Sequence, residues 1–209
     1  MPGHETKQRD YFPAAWLWSI TIVGAWLLLA WHFAQPPWRA QHSRALAAFG
    51  AFKGKDLSAV QAWRLIASQW LHVNFAHMAF NAVMIGSIGN ALHKRTSAST
   101  MLVIGVLGGS IGQFIGALVY PYAFISGASQ AYLALCGAAL LLLSRSQWAW
   151  WIGILGTMVS VGLDLAECSP GGIKMGHLAA FVAGLAAGAS IVAIEASQKA
   201  KFLRATRRT

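Results

Sequence analysis

Residues 125–143 read Ile-Ser-Gly-Ala-Ser-Gln-Ala-Tyr and then continue as an apolar run rich in Ala and Leu. The small residues 126–129 predict a loop, in which Gly127 permits a tight or left-handed turn, and residues 131–143 predict a helix. The first amides of a helix have no intrahelical acceptor and favour negative charge. Ser129 at this junction is therefore either a helix cap, the commoner role of such a serine, or a nucleophile whose reaction builds an oxyanion.

The composition is that of an integral membrane protein. Of the 209 residues, 56% are apolar and 11% are charged, whereas a soluble domain carries about 25% charged residues. This length is sufficient for about six membrane spans joined by short loops. We expect no cleaved signal peptide, because the first apolar run is long enough to span and no small-residue cleavage site follows it. Cys136 lies in an apolar run and Cys168 in a loop, so neither a disulfide nor a metal site is expected.

The net charge of +10 does not indicate nucleic-acid binding, because the basic residues lie in tails and loops between apolar runs. Five of the 16 basic residues are in the C-terminal tail, which is typical of a cytoplasmic segment beside anionic lipid.

The predicted fold is an all-α integral membrane bundle of six transmembrane helices with a long first loop. The predicted spans are Ala14–Ala34, Ala76–Leu92, Thr100–Tyr120, Ser129–Leu143, Trp148–Leu165 and Gly176–Ala196. Residues 1–13 form a cytoplasmic N-terminal tail, residues 14–196 the membrane domain and residues 197–209 a basic cytoplasmic C-terminal tail. In the loop 35–75, apolar spacing predicts a short interfacial helix over 58–71, with a capping box from Ser58 and Gln61.

Six spans place both termini on one side of the membrane. With that side cytoplasmic, ten basic residues lie inside and six outside, which has the sign of the positive-inside rule.

Four polar residues inside the spans are candidates for function. His77 and Asn81 are four residues apart and share one face of span 2. Ser129 begins span 4, and His177 is the second residue of span 6. Spans 2, 4 and 6 run in the same direction, so all four residues are expected at similar depth near the non-cytoplasmic face.

Small residues predict a close contact between spans 4 and 6 that brings Ser129 beside His177. These residues are Gly176, Ala180, Gly184 and Gly188 in span 6, and Ala134, Gly137 and Ala138 in span 4. Span 4 is short, at roughly 22 Å against a roughly 30 Å apolar core. Its first residue is therefore expected below the membrane surface, in a wet pocket lined by irregular backbone.

The chemistry of these groups suggests acyl transfer. Ser129 is the nucleophile and His177 its base, and the Ser129 amide, Asn81 and His77 are the donors for the oxyanion. The carboxylates near this face are Asp164 and Glu167. Both are expected to be solvated, so we predict a Ser–His dyad and not a triad.

Several motifs together resemble those of the rhomboid intramembrane serine proteases. They are Trp63-Arg64, Trp70-Leu71-His72, His77-Met-Ala-Phe-Asn81, Gly127-Ala128-Ser129 and Gly176-His177 with Gly184. The resemblance covers about residues 60–190. It implies a bacterial inner-membrane protein that cleaves transmembrane substrates near the outer face without metal, nucleotide or other cofactor.

The sequence departs from the family pattern at three places. The resemblance assigns Gly127, Ala128 and Gln130 to the loop around the nucleophile. At Gln130, directly after the serine, the family usually has Gly. Leu133 occupies the position four residues after the serine, where the family has an aromatic residue. Tyr132 lies one place earlier. Ala180 replaces a frequent Gly. The stretch 72–77 is also similar to the rhombosortase branch, which trims C-terminal sorting anchors.

Other functions remain open at this point. A rhomboid-like protein that binds membrane clients without catalysis would lack the Ser or the His, and both are present. His77 and His177 could ligate a heme, but nothing else indicates electron transfer. A transporter would need paired buried charges or broken helices in repeated halves.

Overall fold

The structure, a computed structural model, describes residues 14–166 and 173–206. These residues form α1 Ala14–His32, α2 Ser43–Leu46, β1 Phe52–Lys53, α3 Arg64–Ala67, α4 Phe75–Arg95, α5 Ala98–Val119, β2 Phe124–Ile125, α6 Ser129–Leu142, α7 Trp148–Ala166 and α8 Met175–Thr206. Short 3-10 turns lie at Ala47–Phe49, Gly54–Asp56, Ala59–Gln61 and Ser68–Trp70. Glu167, Cys168 and the predicted N-terminal tail lie outside the described residues.

The six long helices α1, α4, α5, α6, α7 and α8 correspond to the six predicted spans. Within the described residues, five of them are long and apolar enough to cross a bilayer, and α6 is a shorter apolar helix. The predicted all-α membrane bundle with a long first loop is therefore confirmed.

The last helix differs most from its predicted bounds. α8 passes the predicted end of span 6 at Ala196 and continues to Thr206. Residues 197–206 contain neither Gly nor Pro and are rich in Lys, Arg, Ala and Leu, all of which favour helix. The basic segment is thus a continuation of the last helix.

The short helix α6 lies at the centre of the bundle. Almost all of its residues are buried, and only Leu141 is largely exposed. α6 contacts α4, α5, α7 and α8. Because other helices surround it, the placement of its first residue depends on protein contacts.

Glycines bring α8 against α6, as the small-residue spacing predicted. A Cβ added at Gly184 would lie 1.9 Å from the Ala134 carbonyl oxygen, and one at Gly137 would lie 2.2 Å from the Phe181 carbonyl oxygen. Only residues without a side chain permit this backbone approach. The predicted close contact between spans 4 and 6 is confirmed.

The first loop is held by Arg64 and not by a single interfacial helix. The predicted helix over 58–71 is instead α3 with a short turn on either side. Ser58 makes no capping hydrogen bond, so the predicted capping box is wrong. Gln61 instead accepts a hydrogen bond from Arg64 Nε, and Arg64 Nη1 donates to the carbonyl oxygens of Ala47 at 2.7 Å and Ala51 at 3.0 Å.

A two-stranded antiparallel sheet ties this loop to the segment before α6. Phe52 pairs with Ile125, and Lys53 with Phe124. Gly54 packs against α5 so closely that a Cβ there would lie 1.9 Å from the Ala117 carbonyl oxygen. The first loop therefore supports the chain that leads into Ser129.

Candidate active site

The turn before α6 requires glycine. Gly127 has φ +113°, and a Cβ there would lie 3.2 Å from Cε1 of His77. The Gly127 N–H donates to the Ser68 carbonyl oxygen at 2.9 Å, and its own carbonyl accepts from Gln113 Nε2 at 3.0 Å. Ser68 Oγ in turn donates to the Gln113 side-chain oxygen. These bonds fix the direction in which the chain enters α6.

Ser129 is the first residue of α6, and its hydroxyl faces His177. The cap position belongs to Ala128, so the interpretation of Ser129 as the helix cap is wrong. Ser129 Oγ lies 2.9 Å from His177 Nε2, and the serine is 4% exposed. A nucleophile and a base are thus within hydrogen-bonding distance.

Gln130 provides a second partner for the same hydroxyl. Ser129 Oγ lies 3.0 Å from Gln130 Oε1 and can donate its proton there. A hydroxyl has one proton, so donation to Gln130 competes with donation to His177 Nε2. The residue that replaces the expected glycine therefore contacts the candidate nucleophile directly.

Asp164 is not solvated, contrary to the prediction from the sequence. Its side chain is 1% exposed, and its Oδ2 lies 2.8 Å from His177 Nδ1. Asp164, in the last turn of α7, contacts the start of α8 through His177 Nδ1 and the backbone N–H of Lys174. The available signal was that Asp164 is an acidic residue inside an otherwise apolar predicted span.

His72, which was placed from the sequence only within a family-like motif, is a central residue of the site. His72 Nε2 accepts from Asn81 Nδ2 at 2.9 Å and from the Ala128 backbone N–H at 3.2 Å. Burial, with a smaller contribution from the nearby His77, lowers the pKa of His72 to about 3, so its ring is a neutral acceptor at ordinary pH. His72 therefore links Asn81 to the backbone one residue before Ser129.

His77 and Asn81 lie where the shared helical face predicted. His77 lies in the first turn of α4 and Asn81 in the second, and Asn81 is fully buried. A Cβ at Gly127 would lie 3.9 Å from Asn81 Nδ2 as well as close to the His77 ring. Both side chains thus face the turn that precedes Ser129.

A cavity of about 590 Å³ opens beside these groups. It lies between the first turns of α4, α6 and α8, the last turns of α7, and the segment before α6. Its polar lining residues are Asn74, His77, Tyr120, Ser126, Ser129, Gln130, Tyr132, Ser160, Asp164, Lys174 and His177. The cavity is large enough to hold a short length of extended peptide.

An aromatic residue also lines this cavity, but it is Tyr132 and not the residue at position 133, where the family pattern has an aromatic side chain. Tyr132 lies in the cavity wall and packs edge-to-face on Phe80, with ring centroids 5.7 Å apart. Leu133, at the expected position, is buried in the core of the bundle.

Comparison with known proteins agrees with this architecture. A sequence model of the Rhomboid domain matches residues 59–194. "Rhomboid protease GluP" of Bacillus subtilis (strain 168) is 27% identical over 156 residues, which cover 72% of this chain and 30% of that protein. "Rhomboid-like protease 3" of Toxoplasma gondii is 30% identical over 96 residues, covering 46% of this chain and 36% of that protein.

A plant relative shows the same extent of similarity. "RHOMBOID-like protein 7" of Arabidopsis thaliana is 30% identical over 109 residues, covering 52% of this chain and 35% of that protein. The chain thus spans about a third of the length of these relatives. Because the domain match extends from the first loop to the last helix, and so covers most of the membrane bundle described above, this chain is a member of the rhomboid family.

Proposed function

We propose that this chain is an intramembrane serine endopeptidase that cleaves transmembrane substrates near the non-cytoplasmic face. The observation that carries the proposal is the 2.9 Å separation of Ser129 Oγ and His177 Nε2 beside a cavity of about 590 Å³. Membership of a family that includes proteins named as proteases supports it.

In the proposed reaction, Ser129 Oγ attacks the carbonyl carbon of the substrate while His177 Nε2 takes the hydroxyl proton. The oxyanion receives hydrogen bonds from the Ser129 amide, Asn81 and His77. When the C–N bond breaks, His177 returns the proton to the leaving amine. Water, activated by the same histidine, then hydrolyses the acyl-enzyme ester and restores Ser129.

Gly127, Ala128 and Gln130 shape the loop around the nucleophile. Gly127 permits the turn, and the Ala128 backbone N–H is held by His72. The neutral His72 ring thereby orients both Asn81 and the backbone next to Ser129. This arrangement supports an oxyanion site that is formed before substrate binds.

The chain is a multi-pass membrane protein, and we propose the bacterial inner membrane with both termini cytoplasmic. The ten-to-six distribution of basic residues supports this orientation. Reporter fusions after Thr209 should be active only in the cytoplasm. A fusion active only on the outer side would contradict the orientation.

The catalytic proposal is tested with the purified protein in bilayers. Wild-type protein should cleave a transmembrane reporter and react covalently with a fluorophosphonate probe. Ser129→Ala and His177→Ala should do neither while remaining folded, and Ser129→Ala should keep the wild-type melting temperature. The matched control is Ser190→Ala, since Ser190 is an exposed α8 residue whose hydroxyl bonds only to its own helix among the described contacts.

Two outcomes would contradict the proposal. Cleavage retained by Ser129→Ala would remove the nucleophile assignment. A wild-type protein that binds the reporter helix without cleaving it or reacting with the probe would identify a rhomboid-like membrane binding protein instead.

A further inference from the structure

The carboxylate of Asp164 faces the nitrogen of His177 that lies opposite Ser129. Asp164 Oδ2 is 2.8 Å from His177 Nδ1, and Ser129 Oγ is 2.9 Å from Nε2 of the same ring. An ionised carboxylate can only accept hydrogen bonds. Nδ1 must therefore carry a proton, and in the neutral ring Nε2 has its lone pair directed at the hydroxyl. This is the tautomer that a base for Ser129 needs.

The carboxylate is itself held in place by the beginning of α8. Asp164 Oδ2 accepts from the Lys174 backbone N–H at 3.0 Å, and Lys174 Nζ lies 3.3 Å from Oδ1. At that distance the ammonium forms an ion pair but no well-directed hydrogen bond. The positive end of the α8 dipole adds to this stabilisation. A buried carboxylate needs such partners to remain charged.

Ser160 is the competing partner for the same ring nitrogen. It lies one helical turn before Asp164 in α7, and its Oγ is 3.3 Å from His177 Nδ1. The contact with the charged carboxylate is shorter by 0.5 Å, and a charged acceptor makes the stronger hydrogen bond. Asp164 therefore sets the orientation of the ring.

From this geometry we propose that Asp164 is a positioning residue that makes the site a Ser129–His177–Asp164 triad, with Lys174 holding the carboxylate. The inference rests on the proposed function of Ser129 and His177. During attack by Ser129, His177 gains a proton and a positive charge, and Asp164 stabilises that charge without taking the proton. The nearby Lys174 ammonium balances the carboxylate while the ring is neutral.

A purely structural role for Asp164 makes a different prediction. As an acceptor for the backbone N–H of Lys174, just before α8, the carboxylate would stabilise the protein, and its loss would lower the melting temperature. It would not change how the reaction rate depends on pH. The two roles can therefore be separated in one variant.

The test uses Asp164→Asn, which keeps the shape of the side chain and removes its charge. We expect the rate constant for fluorophosphonate labelling and kcat for reporter cleavage to fall by about 10²–10⁴-fold, because an amide can donate to Nδ1 and favour the wrong tautomer. KM should change little. The acid limb of the rate against pH should move to lower pH, because the ring loses a neighbouring negative charge.

Several controls accompany this variant. Lys174→Met keeps the backbone N–H that binds Asp164 and should lower the rate by roughly three- to tenfold, less than Asp164→Asn, since the Lys174 side chain is partly exposed. Asp56→Asn removes an exposed carboxylate of the first loop and should leave the rate unchanged. His77, Tyr120 and Tyr132 are the other titratable residues of the cavity wall, and they are unaltered in every variant.

The outcomes distinguish this inference from the proposed function. Wild-type labelling that requires Ser129, combined with an Asp164→Asn rate within threefold of wild type or an unmoved acid limb, overturns the triad alone. If Asp164→Asn unfolds, Lys174→Met decides, and an unchanged pH profile and rate in that folded variant would overturn the role of the Asp164–Lys174 pair. Absence of Ser129-dependent labelling in wild-type protein overturns both proposals.

Discussion

Replacing Gly184 by alanine should separate the two helices that carry Ser129 and His177. The added Cβ would lie 1.9 Å from the Ala134 carbonyl oxygen, whereas real Cβ atoms essentially never come closer than 3.0 Å to such an atom. The helices must therefore move apart by at least the difference, about 1.1 Å. The obstacle is backbone, so a side-chain rotation cannot relieve the contact.

This displacement reaches the candidate site because the helices are stiff over the short distance involved. His177 lies seven residues before Gly184, roughly 10 Å along α8. If α8 moves as a unit, the separation of Ser129 Oγ and His177 Nε2 grows from 2.9 Å to about 4 Å, beyond hydrogen-bonding range. A misplacement of about 1 Å can cost about 10²-fold in rate. Overpacking should also lower stability by about 1–3 kcal/mol.

The assay is a graded series of Gly→Ala variants measured by initial cleavage rate, fluorophosphonate labelling and thermal melting. A Cβ at Gly188 would lie 3.2 Å from the Ala138 carbonyl oxygen, and none of the described atoms lies within 4 Å of a Cβ at Gly24 or Gly162. The expected loss is about 10²-fold at Gly184, small at Gly188 and absent at the two controls. A Gly184→Ala rate within twofold of the Gly162→Ala rate would refute the reasoning.

Three further changes test the surroundings of Ser129. Asn81→Ala should slow cleavage by about 10²-fold without eliminating it, in initial rates on one reporter; full activity, or unfolding alone, would return Asn81 to a purely structural role. Gln130→Gly should keep or raise the rate, because it removes the competing acceptor for the Ser129 proton; loss of activity would reveal a direct role for Gln130. The pKa of His72 is about 3 in the folded protein and about 6.5 in the unfolded chain. Between these two pH values His72 is protonated in the unfolded chain and neutral in the folded protein. Wild-type stability should therefore fall by about 1.5 kcal/mol between pH 6.5 and pH 5. His72→Gln should flatten the pH dependence of the melting temperature, and equal slopes would contradict the assignment.

The long helices and the depth of the site could be predicted from the sequence. Apolar runs set the spans, and the parallel direction of spans 2, 4 and 6 placed His77, Ser129 and His177 at one end. The small residues around Gly184 predicted which helices touch, because only such residues permit backbone contact in a membrane. These features depend on local composition and periodicity.

The environment of Asp164 could not be predicted in the same way. From the sequence alone, a carboxylate in the last turn of a span is expected to be exposed to water. Its burial depends on contacts with Lys174 and His177 at the start of α8. The place of His72 has the same origin, since its partners are a residue of α4 and an amide 56 positions later in the chain. Such contacts depend on tertiary packing, and the spacing of residues along the sequence does not predict them.

The enclosed position of α6 has a consequence for how the protein responds to lipid. Its 14 residues measure about 21 Å, which would be a severe hydrophobic mismatch if acyl chains met the ends of this helix. The surrounding helices, of 19 residues or more, meet the acyl chains instead and can tilt when bilayer thickness changes. Thickening or thinning the bilayer should therefore act first on the outer helices. A change in bilayer thickness affects Ser129 only to the extent that tilting of the outer helices moves α6 through the glycine contacts.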